Sequence, residues 1–126
     1  MAMRWFTRAK PTEIWEEPIA WPMGDIEAAH RIRDICHAAA DGAEEAGEAR
    51  GDKQQGDVQR YERAARAAME IAMKIADDLL RDSAVRQIIG LCLKADDLRT
   101  ARILIRAIQA PSIREEVMRD YPQLES

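Results

Sequence analysis

The sequence predicts an all-α protein of about five helices, paired as antiparallel hairpins in a small bundle or short repeat-like array, behind an irregular N-terminal arm. Three observations carry this. The 126 residues are rich in Ala, Arg, Glu and Asp, contain no Asn, and have β-branched residues that are mostly isoleucines at helical spacing, a balance that favours helix over strand. Apolar residues recur in steps of three and four along most of the chain. And the stretch Ala68–Arg119 looks like one pattern used twice: Ala68, Ile75 and Arg81 recur 33 residues later as Ala101, Ile108 and Arg114. Around them Ile71 aligns with Leu104, Leu80 with Ile113, Asp82 with Glu115 and Ala84 with Val117. A period near 33 residues belongs to stacked helix-turn-helix units.

Residues 1–24 form the arm. They hold all three tryptophans (Trp5, Trp15, Trp21), the only phenylalanine (Phe6), and Pro11, Pro18 and Pro22. Prolines at this density interrupt helix and bias their predecessors toward extended backbone. The large rings are therefore expected as anchors, on their own domain or on a partner. Residues 25–126 are expected to form a single helical domain.

Asp25 is expected to N-cap a first long helix over roughly 25–49. Its seam is Ala29, Ile32, Cys36, Ala39, Ala43 and Ala46, mostly alanines, so another backbone can approach closely. Gly47, Gly51 and Gly56 then bracket a polar segment, Glu48 to Asp57, that reads as a loop. A second helix is predicted from Asp57 to about Arg81, with Tyr61, Ala65, Ala68, Ala72, Ile75 and Leu79 on its seam. Asp82 or Ser83 is expected to cap a third helix to about Lys94, burying Val85, Ile88, Ile89 and Cys92. After a tight turn at 95–97, a fourth helix should run to about Gln109. Ser112-Ile-Arg-Glu115 is a capping-box pattern for a last helix to about Asp120, ended by Pro122.

Leu91 to Glu116, LCLKADDLRTARILIRAIQAPSIREE, resembles the bacterial α-α hairpin repeat related to tetratricopeptide-type arrays. Asp96, Asp97, Ala101, Ile108 and Arg114 carry the match, which extends over about residues 59–121. Asp96 stands where that repeat usually has glycine, and Ile105 replaces its second small residue. The resemblance implies a scaffold that binds protein rather than an enzyme.

Charge narrows the partners. Residues 1–57 hold seven Lys/Arg against twelve Asp/Glu, and residues 58–126 hold twelve against eleven. Neither half has the basic excess that phosphate backbones select, so nucleic acid is not expected as a partner. No apolar run is long enough for a bilayer span. Cys36 and Cys92 lie far apart without a Cys-x-x-Cys pairing and read as buried thiols of a reducing, cytoplasmic setting.

Chemistry is sparse. Glu27, His30, Asp34 and His37 head an acid/His stripe on the first helix, and Glu-x-x-His is the local form of metal-carboxylate bundles. The stripe points about 160° from the alanine seam at about 100° per residue, so it reads first as a solvated face. A divalent metal is the alternative cofactor to none. Asp77, Asp78 and Asp82 likewise read as solvated acids. There is no Gly-rich phosphate loop, and the few serines fit caps. Arg99, Arg102 and Arg106 make a basic stripe that could receive an acidic partner. The expected function is a non-enzymatic protein-interaction or self-associating module, through Trp5, Phe6, Trp15, Trp21 and that arginine stripe. A metal-binding bundle is the alternative.

Overall fold

The Ala-rich, three-four-spaced sequence folds into five α-helices, with no strand among the described residues. The computed structural model describes residues 13–19, 21–48 and 51–125, and side chains throughout these except at 43–55. The helices are α1 (Asp25–Glu48), α2 (Gly51–Ala72), α3 (Asp78–Lys94), α4 (Leu98–Ile105) and α5 (Pro111–Asp120). No helix among the described residues is long and apolar enough to cross a membrane.

α1 and α2 form the long hairpin. Ala28, Ile32, Ile35, Cys36 and Ala39 face Tyr61, Ala64, Ala65, Ala68, Ile71 and Ala72, all buried. Of the predicted α1 seam, Ile32, Cys36 and Ala39 are inside, Ala28 and Ile35 join them, Ala29 is only half-buried, and the side chains of Ala43 and Ala46 lie outside those described. The loop expected over Glu48–Asp57 is largely absent, because α2 starts at Gly51. Two glycines cost about 1 kcal/mol each in a helix, but Lys53, Gln54 and Gln55 between them are good helix formers.

The predicted helix from Asp57 to Arg81 is broken at 73–77. Its last turn tightens through Lys74 N–H to the Ile71 carbonyl and Ile75 N–H to that of Ala72. Asp77 then opens α3 as its N-cap, accepting from the Leu80 N–H at 2.9 Å. The apolar spacing runs unbroken through the junction, so periodicity alone hides the break. Neither Asp82 nor Ser83 caps α3; both lie inside it.

α3 is the hub, packing against α1, α2, α4 and α5. It buries Ala84, Val85, Ile88, Ile89, Leu91 and Cys92, residues that cover more than one face of the helix. It closes with the Asp97 N–H on the Cys92 carbonyl and the Asp96 N–H on that of Leu93, a Schellman end. Asp96 holds φ of 60°, the left-handed position for which glycine is the usual residue.

α4 is capped by the Asp97 carboxylate and ends at Ile105, short of the predicted Gln109. Pro111 disfavours helix at Ala110 and begins α5 at a position where its missing N–H costs nothing. The predicted capping box is not formed: Ala110 is the N-cap, and Ser112 is already helical. After α5, Pro122–Leu124 makes a 3-10 turn that buries Leu124.

The described part of the arm is a strap across the long hairpin. Trp15 is buried in a short 3-10 turn, Ile14–Glu16. Arg31 donates to the carbonyls of Glu17 at 2.8 Å and Ile14 at 3.4 Å. Arg60 pairs with Glu13 at 3.0 Å and lies 4.8 Å from the Trp15 ring centroid. The Trp21–Pro22 peptide bond is cis.

Candidate functional site

Two junctions, residues 75–77 and 108–110, are built alike. At the first, the Asp25 carboxylate accepts the Ala76 and Asp77 N–H groups at 3.1 and 2.9 Å. At the second, the fully buried Asp82 carboxylate accepts the Gln109 and Ala110 N–H groups at 3.1 and 2.8 Å. On the other side of each junction an arginine reaches back six residues, Arg81 to the Ile75 carbonyl at 3.1 Å and Arg114 to the Ile108 carbonyl at 2.8 Å. Ile75, Arg81, Ile108 and Arg114 are residues of the 33-residue sequence match, so that match coincides with one set of hydrogen bonds made twice. The roles expected of two aspartates are corrected: Asp25 serves the α2–α3 junction rather than capping α1, and Asp82 is a buried acceptor rather than a solvated acid. Asp77 and Asp78 are exposed, as expected.

The first junction ties the start of α1 to the start of α3, and the two helices pack side by side with a groove between them. It has a volume of about 840 Å³. Cys36 and Ala40 of α1 and Gly90, Leu91 and Leu93 of α3 supply its apolar wall, and Tyr121 and Gln123 stand at the C-terminal end. Arg33, His37 and Lys94 bring basic groups to the lining against one acid among the described residues, Asp96. A groove of this size with apolar walls and a few polar groups is the usual form of a binding cleft.

Burial keeps the two thiols beside it protonated. Burial, with the neighbouring Cys92 adding to it, pushes Cys36 up to about 12. Cys92 is pushed up to about 11, chiefly by burial and also by Asp97, although the nearby Tyr61 hydroxyl pulls the other way. Both are neutral and act as packing groups. Behind them Tyr61 donates to Asp97 at 2.6 Å. Burial and that bond raise the Tyr61 phenol. In Asp97, burial works upward, but hydrogen bonds from Tyr61 and Thr100 and the charge of Arg99 outweigh it and hold the carboxyl below its ordinary value. Asp97 therefore ties α2 to the α3–α4 turn while capping α4.

The residues singled out from sequence are scattered. Trp5 and Phe6 lie outside the described residues. Trp15 is corrected outright: it is core, beneath Arg60, and unavailable to a partner. Trp21 is partly exposed, with the Lys74 ammonium 5.3 Å from its ring centroid. Arg99 and Arg106 are exposed, whereas Arg102 donates to the Gln123 carbonyl at 3.1 Å and so holds the C-terminal turn. Glu27, His30, Asp34 and His37 are all exposed on α1. Among the described residues, no three His, Cys, Asp or Glu side chains come together as metal ligands do. Of these four described residues, only His37 borders the groove.

Sequence reasoning missed the groove and its basic lining, since Arg33, Lys94 and Leu91 come together only when α1 and α3 pack. Neither family models, curated proteins nor solved structures give a match to this chain.

Proposed function

We propose that the chain is a non-enzymatic helical-hairpin module that holds a segment of a partner protein in the groove between α1 and α3. The observation that carries this is the groove itself, a trough of about 840 Å³ with an apolar wall and with Arg33, His37 and Lys94 beside Asp96 in its lining. Its chemistry suits an extended or helical segment with apolar side chains and nearby acids. The resemblance to tetratricopeptide-like hairpins and the neutral thiols support a binding role over a catalytic one. The two free, buried cysteines also fit a reducing, cytoplasmic setting.

A peptide array probed with the purified chain tests the reading. The expected result is retention of acidic, apolar-rich peptides that falls at least about tenfold, about 1.4 kcal/mol, in Arg33→Glu/Lys94→Glu with helicity unchanged. An array that retains nothing, or retains the double variant equally, would overturn it.

A further inference from the structure

Four large apolar side chains are left in water at one end of the bundle. Trp21 is 43% exposed, Ile26 66%, Met73 60% and Leu79 62%. Separated in sequence, they are gathered by the bonds that close this end. Asp25, next to Ile26, holds the Ala76 and Asp77 N–H groups, and Leu79 follows two residues later. Lys74, next to Met73, lies over Trp21. From these exposures the four present roughly 450 Å² of mostly apolar surface, within the roughly 300–600 Å² of the largest patch on a typical monomer, which is often functional.

We propose that this end is a self-association surface, on which a second copy of the chain packs about a two-fold axis through the same four residues. The charges around it decide between occupants. Glu27, Asp77, Asp78 and Lys74 are exposed at this end, and Arg81 is tied to Asp78, so the rim carries both signs with Lys74 as its unpaired cation among these residues. A two-fold arrangement can set the cation of each copy against the acids of the other, making the surface its own complement. An anionic lipid surface would meet three carboxylates. Two copies would bury roughly 900 Å² from the four side chains alone, and the rim brings the total to the lower end of specific interfaces. The dimer is therefore weak and concentration-dependent. It is separate from the α1–α3 groove.

Sedimentation of the full chain from roughly 10 µM to 1 mM reads the association. The expected result is a reversible shift from monomer to dimer, weakened at least about tenfold by Met73→Glu or Leu79→Glu. These side chains are exposed, so circular dichroism and melting temperature should hold. Lys74→Glu and Glu27→Lys should each weaken the homodimer, and mixing the two should restore a heterodimer. Arg33→Glu/Lys94→Glu should dimerise like the native chain, which separates this surface from peptide binding. A monomer at every concentration overturns the proposal. So does a dimer indifferent to Met73→Glu and Leu79→Glu, a dimer lost only when residues 1–12 are removed, or vesicle binding in place of dimerisation.

Discussion

Asp82 shows what a single side chain does here. Its carboxylate is fully buried and is matched by the Gln109 and Ala110 N–H groups rather than by a cation. Charge-assisted bonds of this kind are worth more than neutral ones, and their loss strands two amides. Asp82→Ala is therefore expected to cost about 3 kcal/mol in urea unfolding, and Asp82→Asn less, since one acceptor oxygen remains. Asp25 makes the equivalent pair of bonds at a half-buried position, so Asp25→Ala should cost less, about 1 kcal/mol. Asp82 was hidden in the sequence because an aspartate before a serine at a helix start reads as a cap. Its partners, 27 and 28 residues on, are backbone groups with no sequence signature of their own. Arg81 and Arg114 were visible as a recurrence, though their role was not.

At the level of elements, helix identity was more legible than helix ends. The predicted caps Asp25, Asp57, Asp82 or Ser83, and Ser112 do not form, but α1, the end of α3 at Lys94 and the start of α4 at Leu98 follow from apolar spacing and the turn at 95–97. The break at 73–77 did not, because Ala68, Ala72, Ile75 and Leu79 keep helical steps across it, yet Ile75 is buried and Leu79 exposed. Glycine misled in the opposite sense at α2. Gly56 is exposed inside that helix, and a methyl group there meets nothing within 4 Å. Gly56→Ala should therefore raise stability by about 1 kcal/mol, seen as a higher melting temperature. Gly42 makes a useful contrast. A Cβ there would come within 2.9 Å of Arg60 Nη1, and Arg60 is tied to Glu13 and stacked on Trp15. Substitution at Gly42 would trade helix propensity against the strap.

The whole molecule registers its buried thiols in its alkaline stability. Cys36 and Cys92 are raised to about 12 and about 11, whereas an unfolded thiol titrates near 8.5. Above about pH 8.5 the unfolded chain loses protons that the folded chain keeps, so rising pH favours unfolding. Their contribution is full below about pH 8.5 and is lost as pH climbs toward the folded values, at up to about 1.4 kcal/mol per pH unit per thiol. Under reducing conditions the urea midpoint is expected to fall steeply above about pH 9. The fall should be shallower in Cys36→Ala or Cys92→Ala, and an equal slope in both variants would refute this account. All-α character was legible at this scale. The arrangement of the surface was not, because grooves and end patches depend on which faces pack, and α3 is apolar on more than one of them.

The paired junctions have a consequence for how such a chain can change. Asp25 lies 51 residues before Ala76, and Asp82 only 27 before Gln109, yet both make the same bidentate closure. The closure is indifferent to how much helix is looped out between anchor and junction. Insertions and deletions that lengthen or trim both arms of a hairpin together can accumulate at its tip while the joint stays intact. The first hairpin, longer than the second by 24 residues between those points, already has the form of such a change.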